Sequence, residues 1–191
     1  MQLCCTFIFL IMGLFERFKK EKTEKDVTNM KVTDLDKGFI FEYDLKTWIV
    51  EEVYKYDWGD EFFSYEYKVS CENETKFLSV EEDDEVELIM SEKATIRKIH
   101  EDLPELLAAE NAPKKLSFDG KEYFLEEESP GYFSNQTKDK DNWVEFICWD
   151  YISEDEKHVI SVEQWGENEF EASTGIVLKE IDISNIIPAE S

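Results

Sequence analysis

Acids set beside tryptophan and tyrosine at predicted turns are the residues of this chain with the clearest chemistry to offer. The stretch "FLSVEEDDEVELIMSEK", residues 77–93, runs five acids together, Glu81, Glu82, Asp83, Asp84 and Glu85, between two apolar runs. Trp58 precedes Gly59, Trp165 stands two residues after Glu163, and Tyr132 follows Pro130-Gly131. Carboxylates attract ammonium groups by charge and aromatic rings attract them by their faces. Glu81, Glu82, Asp83, Asp84, Glu85, Trp58, Tyr132, Glu163 and Trp165 therefore form the candidate site for a cationic ligand, a polyamine or a basic protein segment. The plainer reading of the five acids is a charged hairpin tip, and that of the aromatics is loop side chains folded back over the core. The acid run lacks the alternating oxygen ligands and central glycine of a calcium loop.

Catalytic chemistry has little to stand on. The usual bases are His100, beside a predicted helix, and His158, at the start of a predicted strand. No G-x-S-x-G elbow accompanies them, and no P-loop or G-x-G-x-x-G turn is present for a nucleotide. Paired acids recur, as Glu51-Glu52 and Glu126-Glu127-Glu128. Neighbours on a strand point to opposite faces, so adjacency alone does not make a catalytic pair. Cys4, Cys5, Cys71 and Cys148 form no C-x-x-C pair; no zinc or iron ligand set has recognisable spacing, and reduced thiols are the default. No catalytic residue, metal or cofactor is expected. An enzyme would have to show a deep cleft gathering His158 or several carboxylates.

The net charge of −25 is uneven. Residues 1–37 hold seven basic and six acidic side chains, whereas residues 38–191 hold 14 and 40. Such a body repels phosphate backbones, so nucleic acid is not an expected partner, and it attracts cations. Apolar residues at 42% and aromatics at 14% mark a folded chain.

The first residues differ in kind. "LCCTFIFLIMGLF" is an uncharged run of 13 residues followed by "ERFKKEK", short of the ~20 residues a bilayer-crossing helix needs. Three readings fit. Met12 is the true start in place of Met1, leaving a short amphipathic helix with Leu14, Phe15 and Phe18 on one face and Lys19 and Lys20 beside it, suited to a membrane interface. Or the whole segment is an apolar anchor with a basic cytosolic flank; or it is a frayed helix against the body. The expected location is cytoplasmic, with peripheral contact at the inner face of the membrane under the first reading.

Beyond residue 33 the periodicity becomes two. "FFSYEYKV" alternates Phe63, Tyr65, Tyr67 and Val69 against Ser64, Glu66 and Lys68, a half-buried strand. "NWVEFICWDYI" is apolar on both faces, as in the middle of a sheet. The chain also repeats itself. "KTWIVEE" at 46–52 returns as "KEYFLEE" at 121–127, and "FLSVEEDDEVELIMS" at 77–91 returns as "VISVEQWGENEFEAS" at 159–173. The second copy carries about seven extra residues, which fit "SNQTKDKDN", 134–142, as a long hairpin loop. The expected fold is all-β: two tandem duplicated antiparallel modules, 36–97 and 114–187, built as small barrels or a sandwich. A connector helix at 98–113, opened by Pro104, joins them, and 1–33 is the N-terminal segment and linker. One larger closed barrel made from both copies is the alternative.

The phrases "DLKTWIVEEVYKYDWGDEFFSYEYKV", "FLSVEEDDEVEL", "DGKEYFLEEESPGYF" and "QWGENEFEASTG" resemble, in order, a bacterial family of unknown function, the domain of unknown function 4178 family, over residues 35–187. The resemblance implies a β-rich bacterial protein without an established activity. It also implies a connection to polyamines or to membrane-stress components, since some members look to be encoded near polyamine aminopropyltransferases or phage-shock-related proteins. It carries over no catalytic residue. Three functions follow as expectations: a non-enzymatic acidic binding or adaptor module, a structural part of a membrane-stress complex, and an unrecognised enzyme.

Overall fold

The computed structural model describes residues 30–188. Leu14, Phe15, Phe18, Lys19 and Lys20, and with them the N-terminal helix and its membrane reading, lie outside the described residues. Among the described residues no helix is long and apolar enough to cross a membrane.

The period-two segments become strands, in the order β1 (Ile40–Tyr43), β2 (Lys46–Gly59), β3 (Phe62–Cys71), β4 (Glu74–Glu82), β5 (Val86–Ala94), α1 (Ile96–Ile99), α2 (Leu103–Ala108), β6 (Lys115–Phe118), β7 (Lys121–Asn135), β8 (Val144–Ser153), β9 (His158–Gly166), β10 (Glu169–Leu178) and β11 (Ser184–Ile187). They form one 11-stranded sheet ordered β11-β1-β2-β3-β4-β5-β10-β9-β8-β7-β6, with β2 also paired to β7. That extra pairing closes eight strands, β2-β3-β4-β5-β10-β9-β8-β7, into a barrel. The expectation of two small barrels or a sandwich is corrected to a single closed barrel to which both halves contribute. The reason is edge satisfaction: β5 and β10 are bare edges, and β2 and β7 run on past their short partners β1 and β6, so these open ladder groups pair across. Ala172–Leu178 runs against Leu88–Ala94 at one seam, and Tyr54–Asp57 against Tyr132–Asn135 at the other.

The two halves run through the same strand order. "KTWIVEE" opens β2 and "KEYFLEE" opens β7, and the register slips at Glu51 in one and at Glu126 in the other. A bulge of this kind lets two neighbours share a side and bends the strand. The recurrent acid pairs therefore mark a bend inside a long strand. Two-residue turns with both central residues at positive φ join β1 to β2 (Asp44, Leu45) and β6 to β7 (Asp119, Gly120), the twist a tight hairpin requires.

Each half keeps its apolar core on the face turned away from the barrel interior. In the first half, Trp48, Val50, Tyr67, Val69, Leu78, Leu88 and Met90 pack under Val32, Leu35, Phe41 and Ile183. In the second, Trp149, Tyr151, Ile160 and Val162 pack under Ile99, Leu103, Leu107 and Leu116, supplied by α1, α2 and β6. Pro104 sits in the first turn of α2, where its missing N–H costs nothing. With the apolar residues spent outward, strict alternation turns polar residues into the lumen.

Candidate functional site

The lumen is a cavity of about 660 Å³ lined from all eight barrel strands. On β3 the inward residues are Ser64, Glu66 and Lys68, with Ser79 and Glu81 on β4 and Asp150, Ser161 and Glu163 on β8 and β9. Eight carboxylates line it (Glu66, Glu81, Glu87, Glu126, Glu127, Asp150, Glu163, Glu171) against two lysines, Lys68 and Lys93. Glu87, Glu126 and Glu127 are exposed and mark an open side, whereas Glu66, Asp150 and Glu163 are half-buried and ringed by protein.

Aromatic rings close one region of the cavity, where β2, β7 and β9 end. Tyr56 stacks on Trp58 at 5.7 Å between centroids, and Phe146 stacks on Trp165 at 4.9 Å. Phe133 meets Trp165 edge-on at 5.1 Å, and Phe146 meets Trp58 in the same way at 5.4 Å. Gly131 leaves room for this cluster, since a Cβ there would lie 3.0 Å from both Trp58 and Phe146. The Trp58 Nε1–H donates to Ser64 Oγ at 2.9 Å. The Trp165 Nε1–H is buried and has no partner among the described residues.

The deep carboxylates are held in matching ways in the two halves. Ser79, opposite Glu66 in the ladder, donates to Glu66 Oε2 at 3.3 Å, and Tyr56 OH donates to Oε1 at 3.2 Å. Ser161, opposite Asp150, donates to Asp150 Oδ1, and the Cys148 thiol lies 3.5 Å from Oδ2. Among the described residues nothing donates a hydrogen bond to Glu163, whose surroundings are Glu66, Glu171, Lys93 and Asp150. Burial pushes Glu163 up to about 8, and the charges of Glu66 and Glu171 add to it while Lys93 opposes. Burial likewise raises Glu66 to about 7, against its hydrogen bonds from Tyr56 and Ser79. Asp150 and Glu81 are raised by burial first, and Glu81 further by Glu87 directly opposite it in the ladder. Like charges so placed destabilise a sheet; the lumen is short of positive charge.

The seam between β2 and β7 is braced by the longer loop of the second half. Gln136 N–H donates to the Val53 carbonyl at 2.9 Å, and Val53 N–H to Thr137 Oγ1 at 2.8 Å. Glu52 takes Lys138 at 2.7 Å, Lys68 at 3.2 Å and Asn135 Nδ2 at 2.9 Å, which hold its carboxyl down at about 2.

Of the residues predicted from sequence, Glu81, Trp58, Glu163 and Trp165 line the lumen together. Glu82, Asp83, Asp84 and Glu85 do not join them: they are exposed at the β4–β5 turn, beside Lys179 and Glu180. Tyr132 is also separate, since it lies in the β2–β7 seam and is 50% exposed. Sequence reasoning missed Glu66, Asp150, Glu171, Lys93 and Tyr56, while Phe133, beside Tyr132 in the aromatic set at predicted turns, does line the lumen. Asp150 carried a signal, as an acid inside a run otherwise apolar on both faces. The cavity gathers carboxylates but not His158, which stands by Asp155 at 3.6 Å.

The closest geometric description is thus an acidic, aromatic-ended chamber, and comparison with known proteins places the chain without naming an activity. A protein of Aquifex aeolicus (strain VF5), described as an uncharacterized protein, is 30% identical over 186 residues, covering 93% of this chain and 99% of its own. No solved structure matches. The family pattern spans residues 36–180, from before β1 to just past β10, and so takes in every wall of the barrel. The chain belongs to the bacterial family described as Domain of unknown function (DUF4178).

Proposed function

We propose that this protein is a non-enzymatic binding module whose barrel lumen takes up an organic cation, a linear polyamine fitting best. The observation that carries the reading is the charge of the chamber: eight carboxylates and two lysines around a cavity of about 660 Å³ that ends in stacked aromatics. A flexible chain of ammonium groups separated by methylenes complements both features, by charge at each amine and by ring contact along the stem. Catalysis is the second reading: the lumen does gather the several carboxylates expected of an enzyme's cleft, but the other candidate groups are poorly placed. The Cys148 thiol is buried and pushed well up by burial and by Asp150, which makes it a poor nucleophile, and His158 does not face the chamber. We also infer that the halves descend from one copied unit, because the same strand order carries the same bulge at the same offset.

Isothermal titration of spermidine into the full chain tests the binding reading. The expected result is exothermic or endothermic heat fitting a single class of sites, about tenfold weaker at 150 mM than at 20 mM salt. Glu163→Gln should weaken it about tenfold or more, while Glu85→Gln, at the exposed turn, should leave it within twofold. Absence of heat, or equal effects of the two substitutions, would overturn the reading.

A further inference from the structure

We propose that Lys93 is a tethered occupant of the lumen, whose ammonium holds the place that a ligand's cation takes and must vacate it for the ligand to seat. This rests on the reading of the lumen as a cation receptor. Two lysines line the chamber, and they are held differently. Lys68 pairs with Glu52, which is shared with Lys138 and Asn135 at the other seam. Lys93 stands on β5 at the seam with β10, ion-paired with Glu171 across it, and its Nζ lies 5.6 Å from the centroid of Phe77. Carboxylate on one side and ring face on the other is the setting an incoming ammonium group would find. Lys93 is also the cation that acts on both Glu66 and Glu163.

Nothing in the fold requires a lysine there. In the repeat, position 93 corresponds to Gly175 in the second half, which also lines the chamber. The first half thus carries an ammonium at the chamber's edge where the second carries no side chain. The Lys93 side chain is 56% exposed, and its four-carbon stem leaves it free to swing out through the open side. Its pairing with Glu171, itself 51% exposed, is of the kind that contributes little and breaks readily.

The test is spermidine titration of the full chain at pH 8, wild type against Lys93→Met and Lys115→Met; Lys115 pairs with Glu122 and lies 5.6 Å from the Phe124 ring, outside the chamber. Removing a positive charge from contact with the site should tighten binding about tenfold in Lys93→Met, and change it less than threefold in Lys115→Met. Binding by Lys93→Met alone also supports the proposal. Wild-type binding that is unchanged or weakened in Lys93→Met overturns it while leaving the receptor reading intact; no binding by any of the three overturns both. A second measurement needs no variant: the Lys93 side-chain NMR signals of the wild type should move toward those of a free lysine as spermidine is added. Signals that stay in place under saturating spermidine overturn the proposal.

Discussion

Glu163 sits among other carboxylates and aromatic rings with no hydrogen bond to it from any described residue, and its burial favours the protonated form. The same holds, less strongly, for Glu66. Both groups are raised in the folded chain above their ordinary value of 4.5. Each therefore contributes stability that is fully present below about pH 4.5 and is lost as pH rises through about 7 and about 8. Glu52 behaves in the opposite sense: its lowered value, about 2, keeps its contribution in place throughout that window. The ligand-free protein should accordingly lose urea stability between pH 5 and pH 9. Glu163→Gln should flatten that slope, and Glu85→Gln, the same substitution at an exposed turn, should not. Parallel slopes in all three proteins would contradict this account of Glu163.

At the level of elements, the hairpin between β1 and β2 shows how a local conflict is tolerated. Leu45 has φ +59 and is wholly exposed, whereas Gly120 holds the matching place before β7. A branched side chain in the left-handed region costs about 1–2 kcal/mol, and Leu45 recovers none of it by burial. Leu45→Gly should therefore raise unfolding stability by about 0.5–1 kcal/mol after the glycine's extra unfolded-state freedom is subtracted. Chemical denaturation measures it, and a loss of stability would show that Leu45 makes a contact outside the described residues. The strands were legible in the sequence; this hairpin was not, because Leu45 is not a residue that marks a tight turn. "FFSYEYKV" alternates because β3 separates two environments, and the repeated phrases open β2 and β7, two long strands whose registers slip at matching acids. The polar face of β3 was legible too, but not its destination. Ser64, Glu66 and Lys68 look like a solvent face, since alternation states which residues share a side and not what lies beyond it. Their enclosure depends on Tyr54–Asp57 finding Tyr132–Asn135, a pairing between distant segments that no local pattern encodes.

The described residues place two apolar cores on the outward faces of the halves and a third, aromatic cluster inside the barrel beside the half-buried acids. Closing such a barrel confines carboxylates together, which opposes folding, and a bound cation would offset that cost by linkage. Acidic composition alone does not distinguish this from a solvated surface; the distinction is where the acids are. Four of the five acids that stand out in the sequence, Glu82 to Glu85, remain on an exposed turn, while the lumen acids, Glu126-Glu127 apart, come from separate places along the strands. The five tryptophans divide in the same way: Trp58 and Trp165 face the chamber, and Trp48, Trp143 and Trp149 do not. Indole N–H NMR of the full chain during a spermidine titration therefore tests the central claim most directly. The account predicts saturable shifts of the Trp58 and Trp165 signals while the other three stay in place. Unmoved signals for Trp58 and Trp165, or a uniform drift of all five, would contradict it.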